Sequence, residues 1–277
     1  MCRLAAFPPY FPRQEAINIL LNFEKNNTDG TGYVYLDHKK FVVRKTIDKL
    51  SDCIKDNNFL KHMPYGGWTL VHLRAASHGE NAMRNTHPFI IENKWAFIHN
   101  GIWSEYEIPR KIFQKLGEIK GETDTEAAGH LFNLLGPKAF THVVDRGGVF
   151  MGLKRNGKLW ISKTSGCLVS YKRNGYILYA SELDRDIYKT QRGVDEGWYN
   201  LDSGGGLIAK KIIKTAFPLS MYQFKSTKNK SVCHTGLPKT PIAISQNNVP
   251  VIDSHRERSY IHGGSMEDPY YMYAGVD

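Results

Sequence analysis

The chain has 277 residues, 37 Lys and Arg against 27 Asp and Glu for a formal net charge of +10, and is 41% hydrophobic and 12% aromatic. That suits one large domain or two small ones around an apolar core, and excludes a disordered, collagen-like or disulfide-scaffold chain. No run of about 18 apolar residues could span a bilayer, and Pro8-Pro9 break the opening apolar stretch too early for a signal peptide, so a soluble, cytoplasmic protein is expected.

In chain order, Ile17, Leu20, Leu21 and Phe23 recur at helical spacing after Pro12 and predict a helix over 13–23, stopped by the polar run 26–30. Residues 33–35 and 41–43 read as strands, 46–59 as a second helix, and 68–75 and 95–99 as further strands. A helix is expected over 108–116, with Pro109 in its first turn, and another over 125–135, closed by Gly136-Pro137. Asn156-Gly157 and Asn174-Gly175 each separate two β-rich runs, the strongest short hairpin signal. Two successive hairpins imply an antiparallel meander, and helices in separate blocks imply an α+β fold. The expected layout is a catalytic-sized domain over 2–222 and an extended tail over 223–277. The tyrosines at 270, 271 and 273 favour a tail packed on the domain.

The positive charge would serve polyanion binding only if gathered on one face. Lys154, Arg155, Lys158, Lys163, Lys172 and Arg173 do cluster in sequence, but basic residues are spread throughout, which reads as solubility. Neither nucleic acid nor a membrane is an expected partner. Cysteines at 2, 53, 167 and 233 form no C-x-x-C pair, and the eleven histidines contain no H-E-x-x-H, so no metal or other cofactor is expected. Gly152 to Leu159 nearly spells a phosphate-binding loop. It lacks the closing Ser or Thr and leads into a strand, so it is read as a hairpin turn.

Cys2 follows the initiator methionine directly. Removing Met1 would leave a cysteine carrying its own base, because an α-amine titrates near 7.7–8.0 and can take the thiol proton. Four downstream segments keep it company. They are His72-Leu73-Arg74-Ala75-Ala76-Ser77-His78-Gly79, Asn85-Thr86-His87-Pro88-Phe89, Trp95-Ala96-Phe97-Ile98-His99-Asn100-Gly101, and Gly121-Glu122-Thr123-Asp124-Thr125-Glu126. With Met1-Cys2-Arg3-Leu4, this order resembles the class II glutamine amidotransferases of the N-terminal-nucleophile (Ntn) type, closest to small stand-alone members, over about residues 2 to 215.

The resemblance implies a four-layer αββα sandwich with two antiparallel sheets, and an enzyme that hydrolyses the glutamine amide. Catalytic roles would fall to Cys2 as nucleophile and to Asn100 and Gly101 as oxyanion donors. Substrate binding would fall to Arg74 on the α-carboxylate, Asp124 on the α-ammonium, and Ser77 and His78 nearby. Each has a plainer reading: an ion pair for Arg74, a tight turn for Asn100-Gly101, and a capping box, Thr123-x-x-Glu126, for Asp124. His72, His87 and His99 are read as framework, and Cys53, Cys167 and Cys233 as buried small hydrophobes. Ala75 and Ser77 depart from the aromatic and threonine common in the family, so another γ-glutamyl compound could replace glutamine. About 60 residues follow the matched region, too few for a further catalytic domain, so any ammonia acceptor is expected on a partner enzyme, or there is none. A silent scaffold is the alternative of a different class.

Overall fold

The computed structural model describes residues 1–55, 66–77, 79–144, 146–173 and 175–212, and the backbone of 272–273. The chain divides into two units, Met1–Lys214 with Asp268–Asp277, and Thr215–Glu267. The second unit, Cys233, and all of the expected tail except 272–273 lie outside the described residues.

The strands, in chain order, are β1 (Arg3–Phe7), β2 (Thr31–Asp37), β3 (Lys40–Thr46), β4 (Thr69–Leu73), β5 (Phe89–Ile91), β6 (Trp95–Asn100) and β7 (Val149–Lys154). They continue with β8 (Leu159–Lys163), β9 (Val169–Arg173), β10 (Tyr176–Ala180), β11 (Arg192–Gly193), β12 (Gly197–Leu201), β13 (Leu207–Ile212) and β14 (Met272–Tyr273). The helices are α1 (Arg13–Glu24), α2 (Leu50–Lys55), α3 (Glu107–Lys115) and α4 (Asp124–Val143). One sheet runs β11-β9-β10-β1-β4-β2-β3-β14 and the other β13-β12-β8-β7-β6-β5, with antiparallel pairing throughout.

Side-chain alternation along each strand builds three apolar layers. Between the sheets, Leu4, Ala6, Val34 and Leu70 meet Ala96, Ile98, Val149 and Met151. On the outer face of the first sheet, Ala5, Phe7, Tyr33 and Val71 pack with Ile17, Leu20 and Phe23 of α1 and Leu50 and Cys53 of α2. On the outer face of the second, Phe97, Trp95 and Phe150 pack with Ala127, Ala128, Phe132 and Phe140 of α4. The result is an α+β, four-layer αββα sandwich. With both faces of the central strands covered, Leu4 to Phe7 of β1 and Val149 to Leu153 of β7 are buried residue after residue instead of alternating with exposed polar ones.

Three expectations need correction. The two Asn-Gly hairpins do not make one meander, because β7–β8 lies in one sheet and β9–β10 in the other. Each turn glycine has the expected positive φ (86° at Gly157, 84° at Gly175), so local turn chemistry was legible while sheet membership was not. The helix expected from 46 starts instead at Leu50 and is described to Lys55, because residues through Thr46 pair with β2 as part of β3; positions 56–59 lie outside the described residues. The helix expected to close at Gly136-Pro137 does break there (Gly136 φ 74°, ψ 155°), but a second helical piece continues to Val143 with Pro137 at its start.

His72 ties the sheets together. It lies on the inner face of β4, and its Nε2–H donates to the carbonyl of His99 on β6 (3.1 Å). That fixes its tautomer and leaves Nδ1 bare and buried. His87 packs against it with its ring tilted by 55°, the centroids 3.9 Å apart. Burial, the nearby His99 and Arg74 push the His72 pKa down to about 3, and burial with His72, His99, Lys45 and Arg74 pushes that of His87 well below its ordinary value. Below about pH 6.5 the unfolded chain therefore binds protons that the folded chain does not. Stability is complete above that pH and falls as pH drops toward 3. The expected loss from His72 is about 1–2 kcal/mol between pH 6.5 and 5, with a loss of the same sign from His87, read as a falling denaturant midpoint that is shallower in His72→Leu. A midpoint flat over that range would mean that the pair takes up protons in the folded state.

Candidate active site

Cys2 immediately precedes β1, which lies between β10 and β4 with Arg3 opposite Leu73. That register sets Cys2 beside the end of β4. Its Sγ lies 3.5 Å from both the N and the O of half-buried Ala75, the residue after Arg74. Burial pushes the thiol pKa up, the Ala75 backbone, the amino terminus and Arg74 lower it in part, and Asp124 adds to the rise. The thiol is thus neutral near pH 7 and lies within reach of both charges. Behind it, fully buried Asn27 donates Nδ2–H to the carbonyl of Met1 (2.8 Å).

Arg74 is 3% exposed. Its guanidinium donates to Glu80 O (3.0 Å), Asn81 Oδ1 (3.3 Å) and Gly79 O (3.3 Å), which holds the 79–81 loop against the end of β4. Ser77 is exposed in the same loop, and His78 lies outside the described residues. Asp124 opens α4 and is also buried. Its carboxylate accepts from Trp103 N (2.9 Å) and from the Thr125 hydroxyl (3.2 Å), with His99 Nδ1 at 3.8 Å. Burial raises its pKa, but His99, the Trp103 N–H and Thr125 together outweigh that and hold the carboxyl below its ordinary value. The capping box is not formed. Thr123 Oγ1 has no partner among the described residues, and Glu126 instead accepts from Lys120 N (3.1 Å) and Gly121 N (2.6 Å).

Asn100 ends β6 in the opposite sheet and donates Nδ2–H to Ser181 Oγ (3.0 Å). Gly101 is wedged against another chain segment: a Cβ there would lie 2.1 Å from Gly147 O and 2.8 Å from Gly148 Cα. The structure therefore places the Cys2 thiol where the charges of Arg74 and Asp124 both act on it, and links Asn100 to the strand of Cys2 through Ser181.

Sequence reading overlooked Ser181, Asn27, the Gly147-Gly148 pair and the role of Asn85. The glycine pair just ahead of a β run was a usable signal; a lone serine after a strand was not. Asn85 is fully buried and bridges two loops. Its Nδ2 donates to Glu80 O (3.1 Å) and Glu122 Oε2 (3.0 Å), and its Oδ1 accepts from Glu122 N (2.8 Å). It thereby joins the loop gripped by Arg74 to the turn that leads into Asp124. Asn85→Asp would set an oxygen against two acceptors. We expect it to cost about 1–3 kcal/mol of stability, measured by a denaturant melt. An unchanged midpoint would count against the bridge.

The architecture is two facing antiparallel sheets between helical layers. The glutamine phosphoribosylpyrophosphate amidotransferase of B. subtilis superposes with a TM-score of 0.63 at 16% identity, over 78% of this chain and 50% of that one. Residues 24–146 match the family model of class-II glutamine amidotransferases. Glutamine–fructose-6-phosphate aminotransferase (isomerizing) of Buchnera aphidicola is 33% identical over 119 residues, 42% of this chain and 19% of its own. The Pyrococcus horikoshii protein of the same description is 27% identical over 212 residues, 71% of this chain and 35% of its own. The chain thus spans between a fifth and about a third of the length of these curated relatives.

Proposed function

We propose that this protein hydrolyses the side-chain amide of glutamine through Cys2, freed by removal of Met1, and that the ammonia passes to an acceptor enzyme. The observation that carries the reading is the Cys2 thiol, 3.5 Å from Ala75 N, under the influence of both Arg74 and Asp124. A thiol held neutral by burial needs a base at its side, and the liberated α-amine is one.

In the proposed reaction Arg74 takes the α-carboxylate, exchanging contacts with the 79–81 loop, and ionised Asp124 takes the α-ammonium. The Cys2 amine accepts the thiol proton, and Sγ bonds to the amide carbon. The resulting oxyanion receives hydrogen bonds from Asn100 Nδ2 and the Gly101 N–H, worth about 3–4 kcal/mol per donor. Collapse of the intermediate returns the proton to the leaving nitrogen and expels ammonia, leaving a γ-glutamyl thioester. Water then cleaves the thioester to glutamate and regenerates the thiol. A free thiol nucleophile suits a reducing cytoplasm, where we place the protein.

The test is glutamate release from glutamine by protein whose mass shows loss of Met1, with other γ-glutamyl amides as competitors. Turnover of glutamine supports the reading. Preference for a bulkier amide would move the substrate assignment and match the small Ala75, and turnover of none would end the proposal.

A further inference from the structure

Ser181 stands one residue beyond β10 and is 3% exposed. Its N–H donates to Leu4 O (2.9 Å), and its Oγ accepts from Leu4 N (3.0 Å). Backbone and side chain together therefore lock it onto a residue two positions from Cys2. From the opposite sheet, Asn100 donates Nδ2–H to the same Oγ (3.0 Å). The next residue is held as well, since Glu182 pairs with Arg3 at 2.8 Å.

A serine hydroxyl has two acceptor lone pairs. Here one takes the Leu4 N–H and the other the Asn100 amide, so a single atom joins the strand of the nucleophile to the tip of β6. This contact fixes where the Asn100 amide lies, by tethering it to the strand of the nucleophile. With one N–H spent on Ser181, the other N–H of the same group remains for a ligand, while Oδ1 is buried without a partner among the described residues.

We propose that Ser181 is a positioning residue that aims the Asn100 amide at the oxyanion formed on the substrate of Cys2. The proposal rests on the glutaminase reading above. Without Oγ, the amide loses its tether to the strand of Cys2, while the thiol and the substrate grips stay in place.

The test compares two reactions of Cys2 in the processed wild type and Ser181→Ala: glutamine hydrolysis, which passes through an oxyanion, and alkylation by iodoacetamide, a displacement at carbon that needs none. In Ser181→Ala we expect kcat to fall about 10- to 100-fold, with KM within about threefold and the alkylation rate within about twofold. In an Asn100→Ala background the same substitution is expected to change kcat less than about threefold. An unchanged kcat, a parallel loss of alkylation, or full multiplication of the two effects overturns the proposal. Should Ser181→Ala fail to fold, Ser181→Thr, which keeps the acceptor, carries the test: recovery to at least about a third of wild-type kcat supports it, and a folded but inactive protein refutes it. A wild type that is alkylated at Cys2 yet releases no glutamate ends the glutaminase reading itself, which separates the two failures.

Discussion

Cys2→Ser is expected to lower glutamine turnover by about 10³-fold or more while leaving thermal stability close to that of the wild type. Serine differs from cysteine by one atom of similar shape, and a hydroxyl can keep the contacts of Sγ with Ala75 N and O, so the exchange removes little packing. What it removes is acidity. Even with its pKa raised by burial, a thiol gives up its proton to an amine far more readily than a hydroxyl does. A second substitution isolates the base. One residue retained ahead of Cys2 turns its nitrogen into an amide, which has no basic lone pair, and hydrolysis should fall as far as in Cys2→Ser. The fold should persist, because Met1 is itself accommodated: it is 76% exposed, and its carbonyl accepts from Asn27. Full activity with Met1 shown by mass to be in place would dismiss the amine as base.

Gly101→Ala is expected to cost about 10²- to 10³-fold in kcat, with KM for glutamine within a few-fold. The added Cβ would meet backbone on two sides, Gly147 O at 2.1 Å and Gly148 Cα at 2.8 Å, and backbone cannot swing away as a side chain can. The strand end must move, and with it both proposed oxyanion donors, the Gly101 N–H and the Asn100 amide. Overpacking of this kind also destabilises by roughly 1–3 kcal/mol, which a thermal melt would record. Gly147→Ala offers a contrast: its Cβ would press on Val144 Cγ1 (2.7 Å) and Phe150 Cζ (2.8 Å), side chains of the outer core, so stability should suffer more than kcat. Wild-type kcat in Gly101→Ala would show that oxyanion stabilisation lies elsewhere.

The amino-acid sequence by itself carried the α+β class, the hairpin turns, the helix that begins at Asp124 and the motif order that pointed to this family. Those features are local, written in periodicity, in turn glycines and in side-chain chemistry at short spacing. It did not reveal that the two Asn-Gly hairpins belong to different sheets, because a hairpin records its own register and nothing of which neighbour it joins. Nor did it show that Glu126 abandons Thr123 for the N–H groups of Lys120 and Gly121, a competition settled by the turn ahead of α4. The supporting parts of the candidate site were hidden for the same reason. Ser181 and Leu4 are 177 positions apart, Gly101 and Gly147 are 46 apart, and Asn85 meets Glu122 across 37. Such contacts exist only once two sheets have stacked and their strand ends have converged, so tertiary packing alone decided which residues surround the thiol.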